Sequence, residues 1–419
     1  MSGRSLSQWL DYLEALHPRK IDLGLDRIGE VASRMGLRPL AVPVITVAGT
    51  NGKGSVITTL EALAVNAGLR CGVFTSPHFL RYNERIRVAG VEADDASICA
   101  AFEAIDTGRG DISLSYFEFS FLAALWIFKR DQVEAVFLEV GLGGRLDAVN
   151  CVDADVAVIT SIALDHQHML GDTREQIAIE KAGIARAGRP VVLAEPDPPA
   201  SLQQHLDALG VALFRVNRDF AEDSRGGYYL NRQGRVELPE RKPISGVLPV
   251  NVAAALQAFA LADFTLPEEI DGDVLLPEGI TGRRQHCVSA GKAVLLDVAH
   301  NEAAARALAA YLAANPVAEN TIVLFNAMSD KDIRGMIRAM SAQVDVWWLT
   351  ALPDTPRAAA PEQVLELLHS EGIRAAHLAD HPAKAFACAR ETVTEADRLV
   401  VFGSFFMVAP VLPLLSDSD

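Results

Sequence analysis

An α/β protein with mainly parallel strands is predicted by three features of the chain. Short apolar runs alternate with helix-like stretches through most of its length, a glycine-rich loop stands where one run ends, and a second alternating series opens after a change of texture past the middle. The runs at 44–48, 135–140, 156–160 and 191–194 are nearly continuous in apolar residues, as expected of strands covered on both faces. A helix from 55 to 67, ended by Gly68, should follow the loop, and residues 73–75 should open the next strand. Between 207 and 248 the texture becomes short, polar and glycine-bearing, which predicts hairpins and loops; a helix at 251–261 follows. The second series comprises runs at 293–297, 321–325, 344–349 and 399–402. A length of 419 residues exceeds one ordinary core, so two domains are expected, 1–287 and 288–419.

Charge and cysteine usage narrow the function. A formal net charge of -16 disfavours sequence-independent binding to nucleic acid or to an anionic membrane, both of which require clustered positive charge. A small anionic substrate would need local cations or metal ions. The five cysteines are widely separated and form no C-x-x-C pair, which suits reduced thiols in the cytoplasm. Residues 1–5 lead into polar, helix-like sequence without an apolar export core. The uncharged run 399–415 is interrupted by Gly403, Pro410 and Pro413, so a buried strand and turn are expected there, and no membrane span.

The loop Gly49-Thr50-Asn51-Gly52-Lys53-Gly54-Ser55 departs from the pattern G-x-x-x-x-G-K-[ST], because Gly54 separates the lysine from the hydroxyl. Its physics is nevertheless that of a phosphate cradle. A strand, a glycine turn and a helix start aim backbone N–H groups at one point, where Lys53 adds a charge and Ser55 a magnesium-ligating hydroxyl. The alternative is a plain strand-to-helix turn. Three further segments follow strands: Thr75-Ser76-Pro77-His78, the stretch from Glu139 to Asp147, and Asp165-His166-Gln167-His168. In an open parallel sheet such positions gather at the edge that holds phosphate, so Ser76, Glu139 and His166 could meet around magnesium. Glu139 is the most telling, because a carboxylate at the end of a buried strand is costly unless paired or metal-bound. His166 alone could be a satisfied loop histidine, and Gly141-Leu142-Gly143-Gly144 lacks the third glycine of a dinucleotide fingerprint.

Together these segments resemble the folylpolyglutamate synthase and dihydrofolate synthase family, a branch of the Mur-type amide ligases. The resemblance runs through Asp22-Leu23-Gly24-Leu25, the Gly49–Ser55 loop, Thr75-Ser76-Pro77-His78 with Glu84-Arg85-Ile86, Tyr116-Phe117-Glu118, residues 139–150, Asp165-His166, Glu180-Lys181-Ala182-Gly183, Gly282-Arg283, Asp297-Val298-Ala299-His300-Asn301, Asp330-Lys331-Asp332 and Phe402-Gly403-Ser404. The inserted Gly54 is this family's form of the loop.

The resemblance implies an N-terminal P-loop-type ATPase domain that also holds a pterin, and a smaller C-terminal Rossmann-like glutamate ligase domain. It implies that Asn51, Gly52, Lys53, Gly54 and Ser55 hold ATP phosphates, with Asn251, Arg283 and Asp297 also contacting ATP, and that Ser55, Ser76, Glu139 and His166 ligate two magnesium ions. Lys181 is similar to a carbamylated lysine, although an ordinary surface lysine is the alternative, and His300 to a catalytic residue. Asp22, Leu23, Ser115, Tyr116, Phe117, Glu118, Leu146, Asp147 and Ala148 match dihydropteroate-binding positions, Phe117 being a fitting stacking partner for a flat ring. Leu248-Pro249-Val250 before Asn251, Val149 and Asn326 depart from the family's usual residues.

The implied reaction is ATP-dependent addition of L-glutamate to dihydropteroate and to reduced folates by a monomeric cytoplasmic enzyme. Addition to folates alone is the nearest alternative. A nucleotide-binding protein without ligase turnover, or a cell-wall ligase, fits the motif set less well.

Overall fold

The computed structural model describes residues 4–18, 22–223, 226–238, 240, 242–267, 270–276, 278–353 and 355–416. The chain divides into two compact units, Met1–Ile244 with Leu248–Pro277, and Ser245–Val247 with Glu278–Asp419.

The first unit is built on an eight-stranded sheet of β1 (Val44–Ala48), β2 (Cys71–Phe74), β3 (Ile86–Val88), β4 (Val91–Glu92), β5 (Ala135–Glu139), β6 (Val156–Ile159), β7 (Pro190–Leu193) and β8 (Ala212–Arg215). Their spatial order is β4-β3-β2-β5-β1-β6-β7-β8. The six from β2 to β8 pair in parallel, while β3 and β4 add an antiparallel edge. Every residue of β1, β2, β5 and β6 is buried, and successive side chains point to opposite faces, so both faces are covered, as the unalternating runs predict. One core joins Phe74, Val136 and Leu138 to Phe119, Phe121 and Leu122 of the helix Tyr116–Arg130. Another joins Ala48, Ile159 and Leu193 to Ile177 and Leu202.

A small antiparallel sheet of β9 (Ala221–Asp223), β10 (Gly226–Asn231) and β11 (Gly234–Leu238) accounts for part of the glycine-bearing region. That region also contains β8, which the sequence reading assigned to hairpins. Only Ala212, Leu213 and Phe214 of its four residues are apolar, too brief a run to stand out. The helix expected from residue 251 begins two residues earlier (Pro249–Leu261), because Pro249 fits a first helical turn, where its missing N–H costs nothing.

The second unit holds a six-stranded sheet of β12 (Gln285–Ser289), β13 (Lys292–Leu296), β14 (Thr321–Phe325), β15 (Val346–Thr350), β16 (Ala376–Ala379) and β17 (Arg398–Phe402), in the order β12-β13-β17-β14-β15-β16. β12 is antiparallel to β13 and the rest pair in parallel. Because β12 pairs along its whole length with β13, residues 285–287 belong to this sheet, and the division lies ahead of the expected 287/288 boundary. The apolar run after residue 399 becomes β17 and two short helices, Phe405–Val408 and Pro413–Ser416. No helix among the described residues is long and apolar enough to cross a membrane. All five cysteines are free thiols.

Candidate functional site

The register of the first sheet brings the expected segments to one edge. β1 lies between β5 and β6, with Val47 opposite Glu139 and Ala48 opposite Ile159, while Phe74 of β2 is opposite Leu138. The glycine loop, Ser76, Glu139 and the segment after Ile159 therefore leave the carboxyl ends of adjacent strands, where the strand order switches direction.

Backbone contacts fix the loop. Thr50 N–H donates to the Ser161 carbonyl at 2.7 Å, Asn51 N–H to Ser161 Oγ at 2.9 Å, and Thr160 Oγ1 to the Asn51 carbonyl at 2.7 Å. Two glycines are obligatory here. A Cβ at residue 49 would stand 1.7 Å from Thr160 Oγ1, and one at residue 52, where φ is +92°, would stand 2.7 Å from Asn251 Oδ1. Gly52 is also the N-cap of the helix Lys53–Asn66 and has no side chain to accept the first-turn N–H groups, which suits an anionic ligand. Asn251, on the first turn of its helix, is thus packed against the loop. Lys53 Nζ donates to the carbonyls of Gly49 (2.8 Å) and Thr50 (3.2 Å).

Glu139 is buried and accepts from Ser76 N–H at 3.3 Å, so two of the expected metal ligands are neighbours. Ser55 is buried in the first turn of the loop's helix. His166 has a left-handed backbone (φ +50°) and lies beside Asp165, with the His168 ring 6.4 Å from its own. Among the described residues no group of three or more His, Cys, Asp or Glu could hold a metal. One carboxylate, one imidazole and two hydroxyls still suit magnesium, which is usually held through one or two carboxylates together with phosphate oxygens and water.

Lys181 is not a surface lysine. It is buried on the helix Arg174–Ala182, and burial, aided by the charge of Lys53, pushes its ammonium down to about 7, against an opposing contribution from Asp165. Gly183 and Gly144 close this helix against residues 144–145, and Arg145 pairs with Glu180 at 2.8 Å.

The segments matched to the ring substrate also converge. Arg27 bridges Asp22 (2.6 Å) and Glu118 (3.2 Å), and Glu118 accepts from Ser115 N–H at 2.7 Å in a capping box. Gly24 N–H donates to the Leu146 carbonyl at 3.1 Å, which ties the segment containing Leu23 to Leu146, Asp147 and Ala148. Asp147 is buried and accepts from Leu142 N–H and Val149 N–H; burial pushes its carboxyl up to about 6. The Phe117 ring leans on Phe74 at 5.5 Å and stands where a Cβ on Gly141 would be. Tyr116 meets Tyr82 edge-on. His17 and Arg27, which sequence reading missed, hold Asp22 from two sides; a lone histidine and an exposed-looking arginine carry no local signal for this. Arg87 was also missed. It pairs with Glu61 at 2.7 Å; burial works against its charge, but Glu61, with the fields of Glu139 and Glu92, outweighs burial and raises its affinity for a proton.

In the second unit Asp297 is buried and accepts from Arg284 N–H (3.0 Å) and Ala299 N–H (2.7 Å); burial raises its pKa against the opposing charge of Arg283. Arg283 lies over the Phe405 ring at 5.1 Å. His300 Nδ1 donates to the Val298 carbonyl at 2.9 Å. Asn301 caps the helix Glu302–Ala314. The departure at Asn326 is structural: its amide donates to the carbonyls of Thr350 and Ala359.

Residues 282–405 match the family described as Mur ligase, glutamate ligase domain. The dihydrofolate synthase/folylpolyglutamate synthase of Escherichia coli (strain K12) is 41% identical over 98% of this chain and 95% of its own length. Among solved structures, E. coli FolC in complex with DHPP and ADP superposes with a TM-score of 0.92 at 40% identity, covering 100% of this chain and 99% of that one. A bifunctional folylpolyglutamate synthase/dihydrofolate synthase with Mn, AMPPNP and L-glutamate bound gives a TM-score of 0.89 at 41% identity, covering 99% and 98%. With identity spread over nearly the full length of both chains, the protein belongs to the dihydrofolate synthase/folylpolyglutamate synthase family of Mur-type ligases.

Proposed function

We propose that the chain joins L-glutamate through an amide bond to 7,8-dihydropteroate and to reduced folates, using ATP. The observation that carries this is the placing of the Gly49–Ser55 loop, Ser76 and Glu139 at the carboxyl ends of adjacent strands, with the loop's glycines packed where no side chain fits. A carboxylate resists an amine because its leaving group would be oxide. Attack of a carboxylate oxygen on the γ-phosphorus of ATP releases ADP and leaves an acyl phosphate; the glutamate amine then displaces phosphate with loss of a proton.

Gly52, Gly54 and the helix start present N–H groups to the phosphates, Asn51, whose own N–H is held by Ser161 Oγ, is assigned to them through its side chain, and Lys53 offsets charge as the phosphoryl group moves. Ser55, Ser76, Glu139 and His166 are proposed to hold magnesium, which when bound neutralises the repulsion between phosphate and approaching carboxylate. Phe117, with Asp22, Leu23, Ser115, Tyr116, Glu118, Leu146, Asp147 and Ala148, orients the ring of the acceptor. Asn251 is assigned to ATP, as are Arg283 and Asp297 of the second unit, and His300 to that unit's part in catalysis. We assign the ATP and pterin sites to the first unit and glutamate ligation to the second, in a cytoplasmic monomer.

Lys181 is proposed to carry a carbamate. Its amine gives up a proton easily for a lysine, and only the neutral amine adds carbon dioxide. Carbon-13 bicarbonate should give one carbamate signal that is missing from Lys181→Met. In buffer without carbon dioxide the sign of a pH effect follows. Between about 7 and the ordinary 10.5 the unfolded lysine holds a proton that the folded one has lost, so stability relative to Lys181→Met should rise across that window. Urea unfolding of both proteins at several pH values reads this directly, and a flat difference would remove the buried-amine assignment.

The function itself is tested by ATP-dependent incorporation of labelled glutamate with dihydropteroate and with tetrahydrofolate in turn. Activity with tetrahydrofolate alone would reduce the enzyme to a folylpolyglutamate synthase. Activity with neither would refute the proposal.

A further inference from the structure

We infer that Arg85 is a specificity-determining residue that receives the carboxylate a folate carries on its glutamyl residue in addition to the one that reacts, a group dihydropteroate does not have. The inference rests on the function proposed above and concerns the same site.

Arg85 stands beside the reacting end of the site. Thr75 N–H donates to its backbone carbonyl at 3.0 Å, one residue before Ser76, and its neighbour Ile86 is opposite Phe74 in the sheet. Its side chain turns toward the ring-binding segment, with the guanidinium carbon 5.6 Å from the centre of Tyr116 and 5.7 Å from that of Tyr82. Nε donates to His78 Nδ1 at 2.8 Å. The flat group is thus fixed by two rings and one hydrogen bond.

What the guanidinium lacks is an acid. Among the described residues no carboxylate is ion-paired with it, whereas Arg27, Arg81 and Arg87 nearby each have one. The adjacent carboxylate, Glu84, is taken up by three backbone N–H groups, those of Phe79 (2.6 Å), Leu80 (2.7 Å) and Arg81 (2.7 Å). Glu14, whose charge acts on Tyr116, is exposed. A half-buried, oriented arginine with its terminal nitrogens directed to no protein carboxylate is a ready bidentate receptor for one on a ligand. Dihydropteroate spends its single carboxylate on the reaction, so only a folate has an anion left for Arg85.

Arg85→Met, assayed in the full chain with both acceptors, should raise KM for tetrahydrofolate about ten- to a hundredfold while KM and kcat for dihydropteroate stay within about twofold. The retained dihydropteroate activity also reports that the variant is folded. Should Arg85→Met not fold, Arg85→Lys keeps a charge without the planar fork, and the ratio of the two KM values should still shift against tetrahydrofolate. Equal changes for both acceptors, or a rise in KM for L-glutamate in both reactions, would overturn the inference while leaving the proposed function intact. Wild-type protein inactive with either acceptor would instead remove the function on which it rests.

Discussion

Lys53→Met is expected to lower kcat with either acceptor by about a hundred- to a thousandfold, the loss typical of one preorganised charge at a reacting centre. The expectation follows from where the ammonium is held. Nζ is held against the loop by the Gly49 and Thr50 carbonyls, in the same loop that leads into the N-terminus of the helix Lys53–Asn66. Losing those two hydrogen bonds should cost only about 1–2 kcal/mol of stability, since each is replaced by a hydrogen bond to water. Turnover should therefore fall far more than the urea midpoint. The substitution carries a second consequence that a purely local defect would not produce. Lys53 is one of the groups holding the Lys181 ammonium down, so without it Lys181 should keep its proton to higher pH and form less carbamate near neutrality. Steady-state rates and the carbon-13 carbamate signal of the same variant test both. A variant with kcat within threefold of wild type would remove Lys53 from the phosphate-binding role.

Much of this site was legible in the sequence because its parts are local. A strand, a glycine turn and a helix start are contiguous, so 44–66 announces a phosphate cradle before any tertiary contact is known. The requirement at Gly49 is not local: it comes from Thr160, more than a hundred residues away, whose hydroxyl fills the space a side chain would need. The same holds for Arg27, Arg87 and His17, whose importance lies in which carboxylate each meets. At the level of the fold, runs such as 135–139 were clear because both faces of a central strand are apolar. Edge strands were not. β16 reads Ala-His-Leu-Ala and has no fully buried residue, and β12 reads Gln-His-Cys-Val-Ser with only its last residue, Ser289, buried, so neither offers a continuous apolar run.

Glu139→Gln should show how far the site depends on a divalent cation. The amide keeps the size of the side chain and an oxygen for Ser76 N–H, so the strand end should stay in place and thermal stability should change little. What disappears is a negative charge in a buried position that shares the field of Arg87 with Glu61. If that charge binds magnesium, kcat/KM at ordinary magnesium should fall about a hundredfold or more, in line with the loss of a developing-charge contact. The magnesium concentration for half-maximal rate should rise with it, and added metal should restore part of the activity. A purely structural carboxylate would behave otherwise, because loss of its attraction for Arg87 would lower stability while leaving the metal dependence where it was. Arg87→Met separates the two cases from the other side. It removes the cation but leaves the Glu139 carboxylate, so it should destabilise the fold more than Glu139→Gln does and shift the magnesium requirement less. Turnover and metal dependence both unchanged in Glu139→Gln would exclude Glu139 from the metal site and leave Ser55, Ser76 and His166 without the carboxylate that a magnesium ion there requires.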